Sequence, residues 1–509
     1  MVVHDKSLKN VISTILLDFQ NTWNDVLLIF FPSLLPSLPR MFSVTRFCFS
    51  LTSCFLLTGA AVAQQLPKPE AKPQTAKPAT VVPAPPLSLE EALRMGLQSN
   101  YGILISRRDE EIASNNVTRG NAGQLPVVSG NALRTFNINN SRQQLNDNDP
   151  RVVRGGKANA LAANANLNWT IFDGLGMFIA LDRLRTLEQF QREVTRNTVE
   201  QTVADITDAY YAVVRESGKI KSLEEALDIG QARIDLTQAQ VDVGLTAKVN
   251  LLTAQVDFNA DRSLLIQQQE LLATSKINLN NLLSRAPNVD FQPTDSIVIT
   301  RGLNHDAIAQ AVRQRNPRLQ QARLNTDVAT YERRLIRASR YPTLALTGSY
   351  GLSRNINNAI FINTPDGSFL GSNVSRVYGP SYGVQASIPI FDGFNRTRLE
   401  QNARVTELQT KLQLDQAQLQ LDAELEQAFV RYQNRLQLLQ LEEDNIKLAR
   451  QNVAIALERY RLGLLTPLDL RVAQNTQLAA EVRLLDIRYD AKQAETALRR
   501  LSSGLVQEQ

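Results

Sequence analysis

The side chains that do most bond chemistry are scarce in this chain. Its 509 residues include two histidines, His4 and His305, and two cysteines, Cys48 and Cys54. Both cysteines fall in one apolar N-terminal segment. Beyond that segment there is no thiol, so no disulfide and no thiolate metal site can form. The sequence contains no H-E-x-x-H and no P-loop. His305 stands near a helix start, where capping or solvent contact is the ordinary role. Carboxylates are plentiful, but they lie along segments that read as long helices and need solvated charge. No catalytic constellation results, and the chain reads as a non-enzyme that needs no cofactor. Among the acids, Asp469 supports two readings. Alone, it is a solvated helix-start aspartate favoured by the helix dipole. Repeated by several copies around an axis, it makes a ring of close negative charge that attracts cations.

The elements that would position such a residue are unusually long. From about Arg396 to Arg461 there is neither Gly nor Pro, and Leu, Gln, Ala, Glu and Arg dominate. That composition predicts one helix of roughly 100 Å. A second long helix is expected over about Gly176–Asp242. Each is followed by a glycine turn, at Gly244 or Gly463, and then by a returning helix, about Lys248–Ser284 or Pro467–Ser502. In the first returning helix Leu251, Phe258, Leu265, Leu272 and Leu279 recur every seven residues. Antiparallel coiled-coil pairs follow from this spacing.

The architecture is duplicated. Ile171-Phe172-Asp173-Gly174 recurs as Ile390-Phe391-Asp392-Gly393, an offset of 219. Val243-Gly244-Leu245 recurs as Leu462-Gly463-Leu464, and Leu251, Ala254 and Leu282 as Leu470, Ala473 and Leu501. Upstream, Asn100 matches Asn316 and Pro126 matches Pro342 at an offset of 216. The expected organisation is a first repeat over 87–285, a connecting segment over 286–303 with a β-like run at Ile297–Ile299, and a second repeat over 304–505. Each repeat opens with a helix, the first running from Ser88 to about Gly120. Charge is balanced, 55 Lys and Arg against 50 Asp and Glu. Basic residues are scattered rather than clustered, which argues against a nucleic-acid surface.

Residues 1–40 read as an upstream extension, with translation starting at Met41. Residues 41–63 then form a signal peptide cleaved after Ala63, and 64–86 a proline-rich linker. Leu51-Thr52-Ser53-Cys54 has the look of a lipobox, but the apolar run continuing past Cys54 argues against lipidation.

Four strands are expected, at about 126–138, 160–172, 343–353 and 380–391, with polar loops at 139–157 and 354–376. Leu161, Ala163, Ala165, Leu167 and Trp169 alternate with Asn164, Asn166, Asn168 and Thr170. An apolar face opposite an Asn/Ser/Thr face fits an amphipathic sheet on a core, or a membrane barrel with lipid outside and water inside. The long helices offer no compact core to cover that face, which favours the barrel. Four strands cannot close one, because open edges in lipid leave backbone groups unsatisfied. Two copies would bring about eight strands and three about twelve.

Leu87-Ser-Leu-Glu-Glu-Ala-Leu93, the doubled Ile-Phe-Asp-Gly, Val243-Gly-Leu-Thr246 and Leu462-Gly-Leu-Leu-Thr466 together resemble the TolC family of outer-membrane efflux factors. The resemblance covers about residues 87–505. It implies a mainly α fold with a membrane β-barrel part: a homotrimer sharing a twelve-stranded barrel in the outer membrane and a twelve-helix periplasmic tunnel. It implies an outer-membrane channel for efflux or type I secretion, working with a periplasmic adaptor protein and an inner-membrane pump. It places a gate at the two turns, with Tyr460 at a gate tyrosine, Asp469 at a ring aspartate and Asn250 where an acidic partner stands. Val243, Gly244, Leu245, Thr246, Leu462, Gly463, Leu464 and Thr466 become the adaptor-docking tip. Leu465 replaces a basic gate residue and Val472 a second ring aspartate, so the closed state is expected to be held differently. The rival reading is a periplasmic coiled-coil scaffold without a pore.

Overall fold

The computed structural model describes residues 85–144, 151–364 and 367–505. The expected upstream extension, the expected signal peptide and nearly all of the expected linker lie outside them. The first half comprises β1 (Pro86–Leu87), α1 (Leu89–Ser99), α2 (Tyr101–Asn116), β2 (Val127–Gln143), β3 (Arg151–Phe172), α3 (Gly176–Asp242) and α4 (Lys248–Leu282). After β4 (Gln292–Pro293), the second half repeats the plan with α5 (His305–Arg315), α6 (Pro317–Ala338), β5 (Thr343–Thr364), β6 (Gly367–Ser387), α7 (Asn395–Arg461) and α8 (Pro467–Leu501).

The single helix expected from Ser88 to about Gly120 is two helices. Asn100 divides them: its backbone leaves the helical region, and its side chain accepts from Ile103 N–H to start α2. Its amide also donates to the Leu282 carbonyl at 2.8 Å, tying this corner to the end of α4. Asn316 does the same in the second half, capping α6 and donating to Leu501 at 2.9 Å. The repeat therefore extends to individual hydrogen bonds.

It extends to backbone conformation as well. Leu175 and Phe394, just before α3 and α7, have φ of 68° and 63°. Ser284 and Ser503 close the two returning helices at 53° and 54°. At Gly174 a side chain could not fit, since a Cβ there would lie 2.5 Å from the Ala338 carbonyl. The first half's long helix thus starts directly against the end of α6 in the second.

α3 pairs with α4 and α7 with α8 as coiled coils, while α3 also packs on α6 and α8. Apolar clusters recur along their length, one around Ile206, Tyr210, Leu279 and Phe291, another around Leu319, Leu425, Tyr432 and Leu498. In the connecting segment the strand is at Gln292–Pro293, parallel to Pro86–Leu87, and not at Ile297–Ile299. Ile297 and Ile299 spend their side chains on the helix clusters instead. Among the described residues no helix is long and apolar enough to cross a membrane.

The four long strands form one antiparallel sheet ordered β2-β3-β5-β6, so the two halves meet along β3 and β5. The strands run well into the stretches expected as loops, to Gln143 and from Arg151 in the first half, and through 354–364 and 367–376 in the second. Apolar alternation fades there, but cross-strand backbone bonds do not require apolar side chains. β6 stops at Ser387, short of the expected 391, because Pro389 has no N–H for the ladder. One side of the sheet carries Leu167, Leu346 and Tyr382; the other carries Asn164, Asn166, Ser349 and Ser381, the two serine hydroxyls 2.8 Å apart. The sheet of one chain is open, with β2 and β6 as edges.

Candidate functional site

The far ends of the coiled-coil pairs are closed by two matching turns. Gly244 and Gly463 take φ of 75° and 70°, a region that only glycine enters freely. Past each glycine the next amide bonds back to the helix, Leu245 to the Gln240 carbonyl and Leu464 to that of Arg459, both at 2.8 Å. The turns project apolar side chains into solvent: Val243 is 69% exposed, Leu245 78%, Leu462 71% and Leu464 65%.

The three candidate gate residues each bond to a different neighbour. Asp469 completes a cap: its N–H donates to Thr466 Oγ1 at 3.2 Å, and the Thr466 hydroxyl donates to its carboxylate at 2.7 Å. Asn250 occupies the equivalent place in α4, and its amide donates to Thr246 Oγ1 at 2.8 Å. Tyr460 is buried, with its hydroxyl 2.7 Å from Thr237 Oγ1 on α3. Thr237 already donates to the Arg233 carbonyl, so Tyr460 is the donor of this bond. The link joins the second half's long helix to the first half's.

Next to it lies a charged network that the sequence pattern did not point to directly. Arg471 on α8 grips Asp261 on α4 with two bonds of 2.6 and 2.9 Å. Its Nε also lies 3.9 Å from Asp257, which pairs with Arg233 of α3. Asp261 and Arg233 are buried. The Asp261 carboxylate raises the Arg471 guanidinium above its ordinary range. A signal was present in the heptads. Between Leu251, Phe258, Leu265 and Leu272, the alternate seam positions hold Ala254, Asp261 and Gln268. A carboxylate in a coiled-coil seam needs a partner, and Arg471 supplies it. Among the described residues no group of three or more His, Cys, Asp or Glu is placed to hold a metal.

The model of the family described as outer membrane efflux protein matches residues 95–285 and 308–504, one match to each half. The chain belongs to the outer membrane efflux protein family. It is thus an outer-membrane channel component of an efflux system, in a family of transport conduits. The chain is 22% identical over 422 residues to the outer membrane protein TolC of Escherichia coli, covering 79% of each. It is 22% identical over 439 residues to the toluene efflux pump outer membrane protein TtgC of Pseudomonas putida, covering 82% of this chain and 83% of that one. Among solved structures it resembles the outer-membrane channel OprN, with a TM-score of 0.66 at 19% identity, over 82% of this chain and 90% of that one. The Campylobacter jejuni CmeC channel gives 0.66 at 15% identity, over 82% and 85%.

Proposed function

We propose that three copies of this chain form one passive conduit, a twelve-stranded barrel in the outer membrane continued by a twelve-helix tunnel into the periplasm. The quasi-equivalence of the two halves carries this reading. Inside the chain α8 packs on α3 so closely that a Cβ on Gly218 would sit 3.0 Å from Leu485. Beside it, Lys219 pairs with Asp486 at 2.7 Å. The matching face of α7 is an open groove of about 1010 Å³, lined by Val430, Asn434, Gln437, Leu438 and Leu441. Gln437 and Leu438 are the equivalents of Gly218 and Lys219. The equivalent of Leu485 is Ile266, 61% exposed on α4. A neighbouring copy that repeats the internal packing brings its Ile266 onto Gln437, beside Leu438.

The sheet supports the same assembly. An open edge in lipid leaves backbone N–H and C=O groups unsatisfied at several kcal/mol each, so β6 of one copy must meet β2 of the next. Three copies fit better than two. A barrel of about eight strands is filled by its own side chains, whereas the Asn/Ser/Thr side of this sheet calls for a wet lumen.

At the other end, the exposed Val243, Leu245, Leu462 and Leu464, with Gly244, Thr246, Gly463 and Thr466, form the surface that meets a periplasmic adaptor. Tyr460, Asn250 and Asp469 belong to the gate at that tip. The energy comes from an inner-membrane pump of efflux or type I secretion type. Oligomeric mass and planar-bilayer conductance of the detergent-purified protein test the reading. The mass of three chains with discrete conductance steps is expected. A soluble monomer or dimer without conductance overturns it in favour of the poreless scaffold.

A further inference from the structure

The strand register puts three arginines on one level of the sheet. Arg134 of β2 pairs with Leu161 of β3, Leu161 with Arg354 of β5, and Arg354 with Arg376 of β6. Residues paired directly across an antiparallel ladder share a face, so this row crosses all four strands on one side. It is the apolar side. Towards the helices the same side carries Ala163, Leu352 and Tyr378, then Leu167, Tyr382 and Trp169. All three arginines are exposed, and the Arg134 guanidinium lies 4.8 Å over the Phe136 ring, against this face rather than towards the asparagines.

Two features set the row apart from a scatter of surface charge. Arg354 and Arg376 stand directly opposite each other, and like charges in paired positions repel. The four strands contain no Asp or Glu, while every Lys and Arg in them lies at this row or beyond it towards the hairpin ends. No strand carboxylate can therefore relieve the repulsion. The level is also informative. From Trp169 to Leu161 the strand climbs ~27 Å, or ~20 Å along the barrel axis at a tilt of about 40°. That brings the row to the outer rim of an apolar band about 25 Å tall, where lipid headgroups begin. One row further out, Phe136, Ile356 and Val374 keep the surroundings partly apolar, which strengthens an ionic contact.

We propose that Arg134, Arg354 and Arg376 form a belt that binds the phosphate groups of outer-leaflet lipid and fixes the depth of the barrel. Guanidinium groups match phosphate with paired hydrogen bonds, and neighbouring arginines on adjacent strands can share one headgroup. The proposal rests on the reading that the apolar face of the sheet meets lipid.

Binding of bisphosphorylated lipid A and of the same lipid after dephosphorylation, each added to the detergent-purified full-length protein, tests it. The wild type is expected to bind the bisphosphorylated form roughly tenfold more tightly, and R134Q/R354Q/R376Q to lose that preference. Equal binding of the two lipids by the wild type, or an unchanged preference in the variant, overturns the belt. Inorganic phosphate binding as tightly as the lipid phosphate also overturns it, because the row is then a free-anion site. If the triple variant does not assemble, R376Q alone decides. An affinity roughly threefold lower supports the belt, and an unchanged one removes it. Conductance of the same wild-type preparation separates the two layers of the reading. A conducting protein that ignores lipid phosphate loses the belt alone, and a soluble monomer or dimer without conductance loses the barrel with it.

Discussion

Helices α3 and α7 span 67 residues each, start after a left-handed residue at equivalent positions and end at matching glycine turns. Their surfaces differ. On α3, Phe178 and Leu187 are the large apolar side chains left exposed; on α7 there are ten, from Leu399 to Ile455. The second half of the chain covers α3, whereas α7, paired with α8 and packed on α6, keeps one face bare among the described residues. The chemistry of the two junctions differs too. The internal one is built on charge, with Lys219 against Asp486 and Arg471 against Asp261. The positions equivalent to Lys219, Asp486, Arg471 and Asp261 are Leu438, Gln267, Leu252 and Ala480, all neutral. Halves joined by one chain meet at high effective concentration and can carry the desolvation of buried ion pairs. A junction between separate copies relies on burial of apolar surface.

The largest effect on this contrast is expected from L438E. It puts an unpaired charge into every junction between copies, at about 3–5 kcal/mol each, and should abolish the proposed trimer in sedimentation while leaving the helical circular dichroism of the chain intact. D261A attacks the internal junction instead. Leaving Arg471 without its carboxylate costs about 3 kcal/mol, so the proposed trimer should persist but show a larger open-state conductance. Thr476 is equivalent to Asp257, and T476A should stay within about 0.5 kcal/mol of wild type by thermal melting.

Asp208 offers a pH test of the same internal junction. Burial between α3 and α8 pushes its carboxyl up to about 6 from 3.8, with Gln493 donating at 3.5 Å. Its folded pKa is above its unfolded one, so the folded state holds the extra proton between those values. Stability therefore falls as pH rises through that window and stays low above it. D208N is expected to stabilise the protein at neutral pH by about 1–2 kcal/mol, a figure reduced for partial exposure, and to flatten the profile in melts on either side of pH 6. Apart from T476A, the smallest effect belongs to Y460F. Losing the bond to Thr237 costs ~1 kcal/mol and should raise the open probability of single channels without changing their conductance.

The parts of this fold that could be read in advance are those with a period. The long helices, the glycine turns and the facing rows of leucine and asparagine all repeat at spacings that only one backbone conformation satisfies. The division at Asn100 could not be read that way, because helix propensity continues through it and a distant carbonyl, Leu282, decides it. The strand ends failed for the opposite reason, since backbone pairing outlasts the side-chain pattern. At the tip the individual residues were visible but their partners were not. Tyr460 bonds to Thr237, which lies 223 positions away in the chain and far from Asn250 in any local pattern. Asp261 was legible only as a carboxylate out of place in a seam.

The most direct test of a trimer built on the bare face of α7 uses the lack of cysteine downstream of Cys54. Cysteines placed at Ile266 and Gln437, by I266C and Q437C in one chain, are treated in native membranes with a short bis-maleimide and resolved on denaturing gels. Covalent dimers and trimers of the chain are predicted, with neither single variant giving them. A double variant that stays monomeric under full labelling would contradict the assembly, because the bare face of α7 would then be covered by something other than a second copy.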